Sequence, residues 1–402
     1  MEGTVEAVAR VAYGRLVAML AARGRDIMAA EDALQEAFLA ALTHWPEQGL
    51  PENPEAWLLT VARRRLIDAQ RRDARSTGTL PDLIGDHGPA MDALSDDRLE
   101  LMLVCAHPAI DEAVRAPLIL QTVLGLNAER IAAAFLVAPA TMGQRLVRAK
   151  QKVRDAGMRF ELPGPEVLEE RLEALLDAIY AAYGTGWEDL GAMTNGRDLG
   201  EEALLLAQAI HVRLPEHPET LGLLALMHHT HARRHTRRDR NGRFVPLEEQ
   251  DPRKWDEADL RMAEAHLRTA ATLGSPGRYQ VEAAIQSAHA SARLTGRTDA
   301  QAVLRLYDAL LMLAPSTGAR VAHAAATARV HGTERALVLL EAIDPALTRN
   351  YQAWHALRAD LLRELGRTQD ASEAYRTAIG LSQDAAVRRF LQERMQGTIQ
   401  GQ

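Results

Sequence analysis

The sequence predicts an all-α protein. Alanine and leucine dominate it, apolar residues recur at helical spacing in successive blocks, and aromatic residues make up only 4 % of the chain. Its 402 residues are enough for two or three domains, each with a buried core. Cys105 is the only cysteine, which excludes a disulfide framework and a cysteine zinc site. No apolar run reaches the roughly 18 residues a membrane span needs, and the N-terminus lacks a signal-peptide pattern. A cytoplasmic protein without a membrane partner is the expectation. Neither a phosphate-binding glycine loop nor a nucleophile motif is present, so no enzymatic activity and no cofactor are expected.

Residues from about Val5 to Arg75 read as a first helical unit. Within it, Ala30 to Arg72 holds two amphipathic patterns flanking a loop broken by Pro and Gly. The first pattern is acidic on its solvent side. Asp32, Gln35 and Glu36 sit at i, i+3 and i+4 and so share a face. The second ends in two arginine clusters, Arg63-Arg64-Arg65 and Arg71-Arg72. That polarity suits a module holding a protein with one helix and nucleic acid with the other. Ser76 to Asp97 dissolves into Gly, Pro, Asp and Ser, with Asp82, Asp86, Asp92, Asp96 and Asp97 and no Lys or Arg before Arg98. It reads as an acidic linker, assigned to residues 76–104.

Residues 105–160 form the next unit. Val114, Leu118, Leu120, Val123 and Leu124 give helical periodicity from Asp111, and Gly125 stops it. Asn127 can cap a second helix whose inner side is Ile131, Ala134 and Phe135. A turn at Leu136-Val137-Ala138 follows, then Pro139 at the first turn of a helix running to about Arg154. Helix, tight turn and a basic helix carrying Arg145, Arg148, Lys150, Lys152 and Arg154 make a helix-turn-helix signature.

The order of these residues resembles bacterial sigma factors, the promoter-specificity subunits of RNA polymerase. The region 2 pattern stands as Asp32, Gln35, Glu36, Phe38, Leu39; then Pro54, Trp57, Leu58; then Ala62, Arg63, Arg65, Ile67, Asp68, Arg71, Arg72. The region 4 pattern stands as Thr141, Arg145, Leu146, Arg148, Ala149 and Lys150. With no domain between the two, the layout resembles the extracytoplasmic-function (ECF) group. The resemblance implies that residues 1–75 dock on core RNA polymerase through Asp32, Gln35 and Glu36. It implies that Trp57, Thr60, Arg63, Arg64, Asp68, Arg71 and Arg72 lie at the unwound minus-ten strand. Arg71 and Arg72 are the phosphate-holding pair, while Trp57 is expected to be a core anchor. Thr141, Gln144, Arg145, Arg148 and Lys150 are assigned to the minus-thirty-five duplex, where a helix N-terminus reads base edges. Arg64 stands where many relatives have Asn, Ala138 where a capping Ser is common, and Gly143 inside the helix. The last two weaken autonomous duplex binding. The acidic linker is either a solvated connector or, by the same resemblance, a segment threading the basic path later used by nascent RNA.

Residues 161–402 are not expected in a minimal sigma factor. Ala359, Leu362, Gly366, Ala371, Tyr375 and Ala378 follow the spacing of a tetratricopeptide tail. Tyr307, Leu310 and Pro315, then Ala336, Leu340 and Ile343, repeat the register, and Ala203, Ala207, Ile210 and Pro215 suggest another copy. A helical-repeat extension that regulates or binds a partner is therefore expected. His228 to Asp256 interrupts the repeats with Arg233, Arg234, Arg237, Arg238, Arg240 and Arg243, followed by Glu248 and Glu249. Phe244 and Trp255 favour a structured contact there over a solvated loop. His228, His229, His231 and His235 lack a carboxylate or cysteine in register, so no metal site is assigned.

The formal charge is −7, and residues 1–160 hold nineteen basic against twenty-one acidic side chains. Local arginine clusters can still bind phosphate. An acidic balance fits a protein delivered to DNA by a partner. The competing readings are a helix-turn-helix regulator with a repeat sensor, binding duplex DNA without core polymerase, and a scaffold that has lost transcription function.

Overall fold

The computed structural model describes residues 2–24, 26–77, 93–135, 137–158, 164–188 and 199–400. The described residues are 80 % helical, and no sheet occurs among them. The chain forms two compact units, Met1–Arg213 and Leu214–Gln402.

The first unit holds nine helices among its described residues. They are α1 (Glu2–Gly24), α2 (Ile27–Gln48), α3 (Pro54–Thr77), α4 (Ala93–Cys105), α5 (Glu112–Thr122), α6 (Ala128–Ala134), α7 (Pro139–Asp155), α8 (Pro165–Glu188) and α9 (Leu199–Arg213). Helices α1, α2 and α3 pack on one another, and Leu16, Leu20, Ile27, Leu34, Trp45, Leu58 and Leu66 are buried. Local chemistry fixes the ends. The Asp26 carboxylate accepts from Ala29 N at 3.1 Å and starts α2. Gly49, at φ 87°, ends it in a conformation that side chains with a Cβ rarely adopt. Asn53 accepts from Ala56 N at 3.0 Å where α3 begins.

Helix α4 corrects the assigned linker. Asp82, Asp86 and Asp92 lie outside the described residues, as do the side chains of Asp96 and Asp97. Ala93–Cys105, however, is helical and buries Leu99, Leu101, Met102, Leu103 and Val104. The apolar run after Arg98 overrides the acidic start, because it can be covered on several sides: α4 packs against α1, α5, α8 and α9. Two polar ties fix it. Arg98 pairs with Glu202 of α9 at 2.7 Å, both side chains about 15 % exposed, and Arg171 of α8 donates to Leu103 O at 2.8 Å.

Those ties also move the boundary placed at residue 160. Helices α8 and α9 pack on α4, and α8 also on α5, so both belong to the first unit, which ends at Arg213. Small-residue spacing such as Ala203–Ala207–Ile210 specifies a helix that packs closely, not which neighbour it packs on. Cys105 is buried, within 3.3 Å of the Thr122 hydroxyl. Burial pushes its thiol up to about 12, so it is an inert core residue.

The second unit is a stack of consecutive helices. It comprises α10 (Pro218–Ala232), α11 (Glu257–Thr272), α12 (Arg278–Ala290), α13 (Ala292–Thr295), α14 (Ala300–Leu313), α15 (Thr317–His331), α16 (Thr333–Glu341), α17 (Pro345–Thr348), α18 (Gln352–Glu364), α19 (Thr368–Leu381) and α20 (Ala385–Gln400). Contacts run in order from α10 with α11 and α12 to α14, α15, α16, α18, α19 and α20. Most residues read as repeat positions there are core: Leu310, Ala336, Leu340, Ile343, Ala359, Leu362, Ala371, Tyr375 and Ala378 are buried, whereas Tyr307 is half-buried and Pro315 and Gly366 are exposed. The Tyr375 hydroxyl donates to Asp360 at 2.5 Å, and Gly366 turns the chain at φ 73°.

Two buried histidines of α10 face carboxylates of α11. His228 Nδ1 lies 2.9 Å from Asp259 and His229 Nε2 lies 3.3 Å from Glu264. No group of three potential ligands is placed to hold a metal ion among the described residues.

His289 gives the second unit an acid-labile site. Burial, aided by Arg233, lowers it to about 4, whereas an unfolded histidine titrates near 6.5. Its folded value is depressed, so the unfolded chain takes up the proton first. The associated stability is present above pH ~6.5 and is lost as the pH falls towards 4. Urea unfolding at pH 7 and pH 4.5 is expected to show about 2–3 kcal/mol more acid destabilisation in the native chain than in His289→Gln. Equal losses in the two chains would remove this assignment.

Candidate functional site

Three helices carry the assigned residues, and each places most of them on an outer face. On α2, Ala30, Ala33, Leu34, Ala37 and Ala41 are buried while Asp32, Gln35 and Glu36 are exposed. Gln35 is hydrogen-bonded to the hydroxyl of Tyr13, whose pKa is raised chiefly by burial and further by Glu31. Glu36 lies 3.3 Å from Arg65 of α3 with both side chains about half exposed. Leu39 and Leu42 stand bare beside these polar groups, Leu39 at 64 % exposure. An apolar side chain flanked by charges is the usual composition of a protein-binding patch. Leu39 follows Gln35 and Glu36 by four and three residues and so lies on the same outward row.

On α3, Trp57, Thr60, Arg64, Asp68 and Arg71 recur at a spacing of three or four and form one stripe. Thr60, Arg64, Asp68 and Arg71 are exposed, whereas Trp57 and Arg63 are half-buried. The Thr60 hydroxyl is used locally, donating to Ala56 O at 2.8 Å. Trp57 meets buried Trp45 edge-on, with ring centroids 5.6 Å apart. It anchors the α2–α3 loop, and it is Trp45 that is fully enclosed. The side chain of Arg72 lies outside the described residues.

On α7, the inner face is Met142, Leu146, Ala149, Lys150 and Val153, and the outer face presents Thr141, Gln144, Arg145 and Arg148. Asn127 caps α6, accepting from Arg130 N at 2.9 Å, and α6 packs on α7. Leu136 of the intervening turn lies outside the described residues. Ala138 supplies no side-chain cap, and Pro139 occupies the first turn instead.

Lys150 departs from its assignment as a duplex contact. It is only 8 % exposed, and its Nζ lies 2.7 Å from both carboxylate oxygens of Glu31 on α2. Arg154 and Asp26 approach to 4.0 Å beside it. The reason is positional: Lys150 follows Leu146 by four residues, on the inward row, and the groove against α2 offers it a buried carboxylate. Burial raises the pKa of Glu31 and Lys150 opposes that rise. A second close approach joins the same modules, where a Cβ on Gly14 of α1 would overlap the Val123 carbonyl at the end of α5. Sequence reading missed both, since neither a lone Gly in a helix nor one Lys among basic neighbours carries a long-range signal.

Residues 6–76 match sigma-70 region 2, and residues 171–271 match a family of unknown function (DUF6596). The first match coincides with the three-helix core of α1, α2 and α3. An uncharacterized protein of Rhizobium meliloti (strain 1021) is 37 % identical over 373 residues, covering 90 % of this chain and 88 % of that protein. The chain belongs to the same family as that protein. No solved structure matches it.

Proposed function

We propose that the protein is an alternative sigma factor of the ECF type. In this reading it directs core RNA polymerase to particular promoters, and its C-terminal helical repeats, tetratricopeptide-like in spacing, regulate it. The observation that carries the reading is the region 2 match over a module whose acidic-and-apolar α2 face and arginine-bearing α3 stripe are separately exposed. Face α2 seats the module on polymerase, and the α3 stripe, from Trp57 to Arg71, lies along the separated minus-ten strand. Arginines there hold phosphates while an unstacked base is read by its edge. Helix α7 supplies Thr141, Gln144, Arg145 and Arg148 to the major groove of the minus-thirty-five element.

Elements named for positions ten and thirty-five lie roughly 25 base pairs apart, on the order of 80 Å of duplex at about 3.4 Å per pair. Helix α3 packs on α2, and α7 is salt-bridged to α2, so α3 and α7 cannot serve both elements unless α7 parts from α2. The arrangement with α7 tied to α2 is then a resting one. Lys150 is a tie within that state rather than a reader of bases.

Capture of core polymerase subunits by the purified chain, followed by promoter footprinting of the complex, tests this. Binding to core and protection of both elements only in its presence is the expected result. Steeply salt-dependent duplex binding without polymerase, and no capture of core, would favour a helix-turn-helix regulator instead.

A further inference from the structure

The arginine-rich interruption of the second unit is a folded strap. Arg237 and Val245 pair through Val245 N to Arg237 O at 2.8 Å, and Asp239 N donates to Arg243 O at 3.0 Å, forming a small hairpin. Asp239 organises its tip by accepting from Asn241 N and Arg243 N, and Gly242 supplies the positive φ of 73°. Gln250, almost fully buried, ties the base of the hairpin to Val245 O and to the Thr236 hydroxyl. Trp255 closes the return, buried against Ala232 and Leu260.

The strap leaves the first helical hairpin of the unit and lands on its last helix. Arg238 pairs with Asp384 at 2.8 Å. Asp384 also caps α20 by accepting from Ala386 N. Arg243 meets Glu393 at 2.7 Å and Glu249 meets Arg394 at 2.9 Å. Phe244 packs edge-on against Phe390, ring centroids 5.5 Å apart, and Arg394 lies over the Phe390 ring. On the way the strap passes the carboxyl end of α15, where Glu248 pairs with Arg329. Contacts that otherwise run mainly between successive helices, from α10 to α20, are thereby joined end to end.

We propose that residues 237–249 are a clasp that makes α20 part of the cooperative core of the second unit. In an open helical stack each element touches only its neighbours, and the terminal helix frays first. Here the terminal helix is held by the first hairpin, about 145 residues away in sequence. The clasp also accounts for the basic run. Arg238 and Arg243 are paired with carboxylates of the same unit, so two arginines of the run are used inside the fold. The proposal holds whatever the first unit binds.

Hydrogen exchange of the full chain tests it. Amides of α20 are expected to exchange at rates close to those of α18 and α19. Phe244→Ala is expected to speed α20 exchange at least tenfold while α14 and α15 change little. Arg243→Glu is expected to act the same way, and Arg243→Glu with Glu393→Arg to recover most of the protection. Raising salt to 1 M should weaken the native clasp in the same direction, since its ion pairs are partly exposed. Fast exchange of α20 in the native chain, or no response to either single variant, would overturn the clasp.

Discussion

Lys150→Met is expected to destabilise the first unit by on the order of 3 kcal/mol at neutral pH, the usual loss when one member of a buried ion pair is removed. Side-chain exposures of 9 % and 13 % for Lys150 and Glu31 place the pair in that class. The variant leaves the Glu31 carboxylate enclosed without its counter-charge. Its folded pKa is already raised by burial, and losing Lys150 raises it further. With a raised folded value, the stability from its proton is present below the unfolded pKa and is lost as pH rises through the folded one. Lys150→Met is therefore worst at pH 7.5 and partly recovers near pH 5. Lys150→Met with Glu31→Gln removes both charges and is expected to lose clearly less than the sum of the two single variants. Urea unfolding of the four chains at both pH values measures this. Additive losses with no pH dependence would show that the two groups do not interact.

The helices were readable because their punctuation is local. Asn127 and Gly125 announce a start and a stop, and the structure uses both where the chain chemistry required. Outer faces on α2, α3 and α7 were equally legible, since i, i+3, i+4 spacing alone decides which residues share a side. What escaped was the choice of partner. Ala93–Cys105 looked like the end of an acidic linker because its charges precede its leucines, and only packing against four other helices makes it a core element. The boundary at residue 160 failed for the same reason: Arg98–Glu202 and Arg171–Leu103 O join segments about 100 and 70 residues apart. Lys150 belonged to a matched motif, yet its burial depends on a carboxylate 119 positions away. In the strap the opposite happened. Two aromatics amid many charges were enough to indicate a folded contact, although the helix it would reach was not readable.

Asp32→Lys with Glu36→Lys tests the proposed function at the residues on which it rests, and its expected result is a loss of core-polymerase affinity of roughly 100-fold or more. Like-charge juxtaposition across a protein interface costs several kcal/mol, and each ~1.4 kcal/mol is tenfold in affinity. The fold has little reason to respond. Asp32 is exposed, and Glu36 pairs with Arg65 in a half-exposed pair of the kind worth about 0–1 kcal/mol. Unfolding midpoints should therefore stay close to those of the native chain. Asp32→Asn with Glu36→Gln removes attraction without adding repulsion, so its affinity should fall between the two and its dependence on salt should flatten. The neighbouring apolar side chain separates steering from adhesion. Leu39→Ala keeps every charge and deletes an exposed side chain, so it should raise the dissociation rate while leaving association unchanged. If core affinity survives the double reversal with the fold intact, α2 is not the docking face. The sigma-type reading of the exposed α3 stripe would then lose the element that delivers it to DNA.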